Sequence, residues 1–97
     1  MKDLRFEWDE RKAAANRWKH RVSFEEAQTV FLDEDALQIP DEEHSDEEDR
    51  FILLGLSSQL RVLAVCHCYR QDDEIIRIIS ARKANRGERQ QYEERRS

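Results

Sequence analysis

Histidine, tyrosine, arginine and lysine gather in two stretches near the C-terminal end, HCYR at residues 67–70 and IIRIISARKANRGER at residues 75–89. His67 is a group that titrates near neutrality, Tyr69 a phenol able to stack or donate, and Arg77 and Lys83 are fixed cations able to hold an oxyanion. Cleavage of RNA without a metal needs little more. A base must take the 2′-hydroxyl proton, cations must stabilise the extra negative charge that gathers on phosphorus, and the 5′-oxygen must be protonated as it leaves. Singly, each of these side chains is what a solvated sheet face ordinarily carries, so their chemistry depends on whether the fold brings them together.

Three apolar runs must do the positioning: Phe51–Ser58, Leu60–Arg70 and Glu74–Arg82, separated by the turn stretches SSQ and QDD. Consecutive strands joined by short turns form an antiparallel meander. With Gln71–Asp73 as a three-residue loop and Asp73 in the left-handed position, Arg70 pairs with Glu74 and His67 lies opposite Arg77. One face then shows Leu60, Val62, Ala64, Cys66, Cys68, Ile76 and Ile78 for helices to cover. The other shows Arg61, His67, Tyr69, Arg77 and Lys83, with Val65 and Ile79 among them. Arg82 falls on the covered face by parity, but at the strand end, where the chain turns.

Upstream, Leu4, Phe6 and Trp8 alternate with polar residues in the period-2 pattern of a strand. Asp9 caps a helix over ERKAAANRWKH, with Ala14, Ala15 and Trp18 on one side. Ser23 and Glu26 have the spacing of a capping box, which starts a second helix at residue 24 that presents Phe24, Ala27 and Phe31. A short strand at Ala36–Ile39 precedes Pro40, and the acidic segment DEEHSDEED reads as a solvated loop, in which His44 has no spaced partner set. Asn85 and Glu88 repeat the capping logic for a last helix that reaches about Arg95 and bears Tyr92. The order is β-α-α-(β)-β-β-β-α, an α+β fold: an antiparallel sheet with two N-terminal helices packed on one face and a C-terminal helix.

The 97 residues suit one domain spanning 1–97, and 38% hydrophobic against 40% charged residues suits an open sheet covered on one face. No apolar stretch approaches the roughly 20 residues that cross a bilayer, and no secretory leader is evident, so a cytoplasmic protein without membrane contact is expected. Cys66 and Cys68, two apart on one strand, point to the same face and are badly placed to bond each other. A zinc site needs two further ligands, and His67 between them points the other way, so neither a metal nor a cofactor is expected.

The net charge of −5 is unevenly spread: residues 1–31 carry seven cations and six anions, 32–49 ten anions and no Lys or Arg, 50–74 three of each, and 75–97 seven cations and three anions. Only charge within a Debye length of about 8 Å acts on a bound phosphate, so the acidic total does not exclude RNA at the basic C-terminal end. Arg86 and Arg89 at the last helix start add to that basic edge.

Several blocks in order, FEWDERKAAANRWKHRVSFEEA, HSDEEDRFILLG, HCYR and IRIISARKANRGERQQYE, resemble the BrnT family of bacterial type II toxin–antitoxin toxins over Phe6 to Glu94. The resemblance implies a RelE-like fold and a metal-independent ribonuclease that cleaves RNA and inhibits translation. It implies a ribbon-helix-helix antitoxin of the BrnA type that silences the toxin, operator DNA bound only through the antitoxin complex, and a toxin homodimer within a larger hetero-oligomer. Within these blocks, Arg77 and Arg82 are assigned to transition-state charge, His67 to proton transfer, and Lys83 and Arg61 to substrate phosphates. Glu48 with Arg50, and His20 after the first helix, are further substrate-site candidates. The alternative is a non-catalytic module that uses the same basic strand–helix edge to bind nucleic acid or an acidic partner. RNA left intact but bound would mark the module.

Overall fold

A computed structural model describes residues 4–44 and 48–97. In chain order the elements are β1 (Arg5–Glu7), α1 (Glu10–His20), α2 (Phe24–Thr29), β2 (Leu37–Pro40), β3 (Phe51–Leu56), β4 (Val62–Arg70), β5 (Ile75–Lys83) and α3 (Arg86–Arg96), with 3₁₀ turns at Val30–Leu32 and Glu42–His44. The strands form one five-stranded sheet in the order β1-β5-β4-β3-β2. Strands β2 to β5 make the antiparallel meander, but β1 runs parallel to β5, Arg5 opposite Ile75 and Glu7 opposite Arg77. The sheet is therefore mixed rather than antiparallel. No hairpin joins β1 to β5, so no turn forces them into opposite directions.

Helix α1 begins where Asp9 accepts the Arg11 and Lys12 amides at 2.8 and 3.2 Å, and ends at Arg21 in the left-handed conformation, φ 60°. Its buried residues are Ala13 and Asn16, not Ala14, Ala15 and Trp18, and Trp18 is 82% exposed. Asn16 is what sets this rotation. Its amide donates to the Ala81 carbonyl (2.8 Å) and accepts from the Ala81 N–H (3.0 Å), so it supplies the edge of β5 with hydrogen bonds beyond the point where β1 stops. A helix held by that contact cannot also turn Trp18 inward.

The main core lies between these helices and one face of the sheet. Val22, Phe24, Ala27 and Val30 pack over Leu53, Leu63, Val65 and Ile78. At Ser23 only half of the capping box forms: the hydroxyl accepts from the Glu26 N–H, while the Glu26 side chain turns inward to Arg61 and Ser57. At α3 the box is complete between Asn85 and Glu88. Helix α3 contacts β3. It is anchored by the buried Tyr92, whose hydroxyl donates to Asp33 at 2.5 Å.

The β4–β5 hairpin departs from the sequence-derived register in two places. The loop has four residues, with Gln71, Asp72 and Asp73 all at positive φ, and Arg70 lies opposite Ile75 instead of Glu74. A one-residue slip exchanges faces, because side chains alternate along a strand. His67 is thus opposite Ile78, and it is Cys68 that faces Arg77. A bulge follows: His67 pairs with Ile78 while Cys66 pairs with Ser80, which leaves Ile79 as the extra residue. Below the bulge the parity of β5 changes, so Arg77 and Arg82, five apart, come to the same side of the sheet. The helices cover the face of Leu63, Val65 and His67, opposite to the one expected from sequence.

Candidate functional site

The face away from α1 and α2 carries a cleft of about 350 Å³. Its floor is sheet: Ile52 from β3, Ala64 and Cys66 from β4, and Ile79, Ser80 and Arg82 from β5. Its wall is the segment after β2, with Asp41, Glu43, His44 and Arg50. That segment is clasped at its base, where the Asp41 N–H donates to the Arg50 carbonyl at 2.9 Å.

Pro40 ends β2, and the chain enters the 3₁₀ turn Glu42–His44. In such a turn residues three apart eclipse each other, so Asp41 and His44 meet. The His44 Nδ1 stands 3.0 and 3.2 Å from the two Asp41 oxygens. With Nδ1–H donated to the carboxylate, Nε2 is the basic nitrogen. Asp41 is nearly buried, with its side chain 11% exposed, while His44 at 60% is reachable by a substrate.

Across the cleft, Arg82 donates Nη1 to Glu88 Oε1 at 2.6 Å and Nη2 to Glu88 Oε2 at 3.1 Å. Glu88 also accepts the Asn85 amide at 2.9 Å as part of the α3 capping box. This pairing raises the Arg82 pKa and lowers that of Glu88, so both stay charged. The guanidinium is held in one orientation with N–H groups to spare for an anion. The Cys66 thiol lies 3.5 Å from Asp41 Oδ2, and burial, then that carboxylate, push it up to about 11. It is a neutral thiol, not a nucleophile.

Of the residues singled out by sequence, Arg82 and Arg50 line this cleft. Arg77 shares the sheet face but lies outside the cleft, 3.6 Å from Glu7. Glu48 is 3.8 Å from Arg50 and lines a second depression with Gln38, Phe51 and Tyr69. Lys83 is exposed at the end of β5, and His20 is half-buried in the last turn of α1, on the other side of the sheet. Arg61 is engaged elsewhere: it donates to buried Glu26 through Nε (2.8 Å) and Nη2 (2.5 Å), and to the Arg21 carbonyl (2.9 Å). His67 is fully buried beneath the helices, with Nδ1 3.0 Å from the Val65 carbonyl and Nε2 3.1 Å from Gln38. Burial holds its pKa below the usual value, so it is neutral.

The residues that sequence reasoning passed over are Asp41, His44, Ser80 and the orienting Glu88. One signal was available: D-x-x-H directly after a proline is the spacing at which a 3₁₀ turn joins a carboxylate to an imidazole. Among the described residues no group of three or more His, Cys, Asp or Glu side chains is placed to hold a metal ion, and no helix is long and apolar enough to cross a membrane. The cleft thus combines an oriented imidazole with two arginines around a space of about 350 Å³.

The family model described as the ribonuclease toxin BrnT of type II toxin–antitoxin systems matches residues 8–88. A similar solved structure is the crystal structure, at 1.1 Å, of the Brucella abortus ribonuclease toxin BrnT. The likeness has a TM-score of 0.66 and 24% identity, covering 87% of this chain and 100% of that one, which bears on the fold alone. No curated protein sequence matches.

Proposed function

Since the chain belongs to the BrnT family of ribonuclease toxins of type II toxin–antitoxin systems, we propose that residues 1–97 act as one RelE-like toxin domain that cleaves RNA without a metal, in the cleft between Asp41–His44 and Arg82. The observation that carries this reading is the juxtaposition in one cleft of an imidazole oriented by Asp41 and a guanidinium clamped by Glu88. His44 Nε2 takes the proton of the 2′-hydroxyl, and the oxygen attacks phosphorus in line. Arg82, with Arg50 beside it, meets the charge that builds on the non-bridging oxygens. The P–O5′ bond breaks and O5′ takes up a proton, leaving a 2′,3′-cyclic phosphate. Proton transfer, assigned to His67 on sequence alone, passes to His44 because a buried neutral imidazole under the helices cannot reach a substrate. Cleavage of mRNA inhibits translation, and a BrnA-like ribbon-helix-helix antitoxin neutralises the toxin. Operator DNA is bound through that antitoxin, and the toxin is dimeric within the complex.

The test is cleavage of end-labelled RNA in EDTA by purified protein. Arg82→Ala and His44→Ala are each expected to slow it by about 10²- to 10³-fold with the fold retained, whereas Arg77→Ala stays within about threefold. Loss in Arg77→Ala with Arg82→Ala unaffected would move the site to the β1 edge. RNA bound but left intact by the wild type would favour the non-catalytic module.

A further inference from the structure

We propose that the outward stripe of α1, formed by Ala14, Arg17, Trp18 and Arg21, is the docking surface for an acidic, partly apolar segment of the antitoxin; this rests on the toxin–antitoxin reading and not on the location of the cleft. Ala14, Arg17 and Trp18 follow the i, i+3, i+4 spacing of one helix face, and with Arg21, which caps the helix end, they line a shared depression on the surface. Trp18 is the most exposed large hydrophobic side chain among the described residues, at 82%, and core packing gives it no role, since α1 meets the sheet through Ala13 and Asn16. A second apolar side chain borders the same end of the helix. The bond from Arg61 to the Arg21 carbonyl ties the β3–β4 turn, which carries Leu60 at 80% exposure, to the C-terminus of α1.

Charge selects the kind of partner. Residues 10–21 hold five cations, Arg11, Lys12, Arg17, Lys19 and Arg21, against the single acid Glu10, in a chain whose net charge is −5. Glutamates or aspartates opposite Arg17 and Arg21, beside an apolar residue on the indole, complete such a surface. Trp and Arg are also the side chains that most often dominate protein interfaces. RNA fits less well: α1 lies on the face of the sheet opposite the cleft, so a strand seated at Arg82 reaches Trp18 only by rounding the β1 edge. An antitoxin anchored here holds the toxin without occupying the catalytic groups, and a second contact is needed to close the cleft.

The experiment measures binding of the purified antitoxin to the full-length wild type, to Trp18→Ala and to Arg17→Glu/Arg21→Glu by calorimetry, at low and at high salt, alongside RNA cleavage by each free protein. About tenfold weaker binding is expected for Trp18→Ala and about a hundredfold for the double charge reversal, the latter deficit shrinking in high salt, with RNA cleavage unchanged. Complexes of equal strength for all three proteins overturn the docking surface while leaving the toxin–antitoxin reading intact. No complex even with the wild type overturns both. Unchanged antitoxin affinity with a raised KM for RNA would assign the stripe to nucleic acid and overturn the proposal.

Discussion

Arg61→Ala separates a structural cation from a functional one. Glu26 is 4% exposed and its carboxylate rests on Ser57 Oγ (2.6 Å) and on the Nε and Nη2 of Arg61. Removing one partner of a buried ion pair typically costs about 3–5 kcal/mol, because the charge left behind is neither solvated nor paired. Two features lower that figure here. Arg61 is 27% exposed on its side chain, so water enters once it is truncated, and Ser57 keeps its bond to the carboxylate. A loss of about 2–3 kcal/mol is therefore expected, equivalent to roughly 10–20 °C in Tm for a domain of this size. Urea unfolding followed by tryptophan fluorescence reads it. Adding Glu26→Gln should recover about 1 kcal/mol or more, since the orphaned charge is then gone. The pH dependence has a fixed sign. The Arg61 hydrogen bonds hold the Glu26 pKa below the ordinary carboxylate value, so the pair's contribution is present above that value and is lost as pH falls through the folded pKa. The deficit of Arg61→Ala should accordingly shrink in acid. RNA cleavage, per folded molecule, should stay near wild type. A loss of stability below about 0.5 kcal/mol together with a hundredfold fall in cleavage would refute this and return Arg61 to the substrate site.

Three further outcomes are expected. Gly55→Ala would place a methyl 2.8 Å from Val30 Cγ1 and 3.1 Å from Ala36 Cβ, and is expected to destabilise the fold by about 1–3 kcal/mol on denaturant titration. His67 is neutral in its buried site, so the folded state resists its protonation. Stability should fall by up to about 1.4 kcal/mol per pH unit as pH drops below about 6.5, and His67→Leu should flatten that stretch of the pH profile. The Cys66 thiol, pushed up to about 11, should react with iodoacetamide at pH 8 about a hundredfold more slowly than a peptide cysteine, as read by mass spectrometry.

Much of the architecture was legible because its signals are local. Asp9, Ser23 and Asn85 each cap the helix that their side chains announce, and the apolar runs expected at Phe51–Ser58, Leu60–Arg70 and Glu74–Arg82 hold β3, β4 and β5, with ends shifted by one or two residues, for the reasons their composition suggests. The direction of β1 and the rotation of α1 were not legible, since both depend on β5, some 65 positions away in the Asn16–Ala81 contact. An asparagine in an alanine-rich helix reads as a solvent-facing residue until a strand edge with unpaired backbone groups is placed beside it. The Asp41–His44 pair was hidden for a different reason. Ten acids in eighteen residues read as a solvated segment, and the meaning of one carboxylate among them comes only from the turn that sets it beside the imidazole.

The hairpin shows how little of a site survives a register error even when the strands are right. Gln71 and Asp72, with Asp73, all adopt positive φ, so the loop takes one more residue than the QDD pattern implies, and every side chain of β5 changes face relative to β4. That alone would bury Arg82. The bulge at Ile79 restores it, leaving the lower half of β5 with Ser80 and Arg82 turned toward the cleft while Ala81 stays in the core. Neither irregularity has a glycine or proline to mark it. The two errors act on the two arginines: the slip parts Arg77 from His67, which stays beneath the helices with Leu63 and Val65, and the bulge brings Arg82 onto the open face with Arg77. The proposed catalytic cleft, built on a strand irregularity, depends for the side Arg82 takes on one extra residue. Deleting Ile79 should therefore return Arg82 to the helix side and abolish RNA cleavage, and cleavage surviving that deletion in a folded protein would show that Arg82 does not act from this cleft.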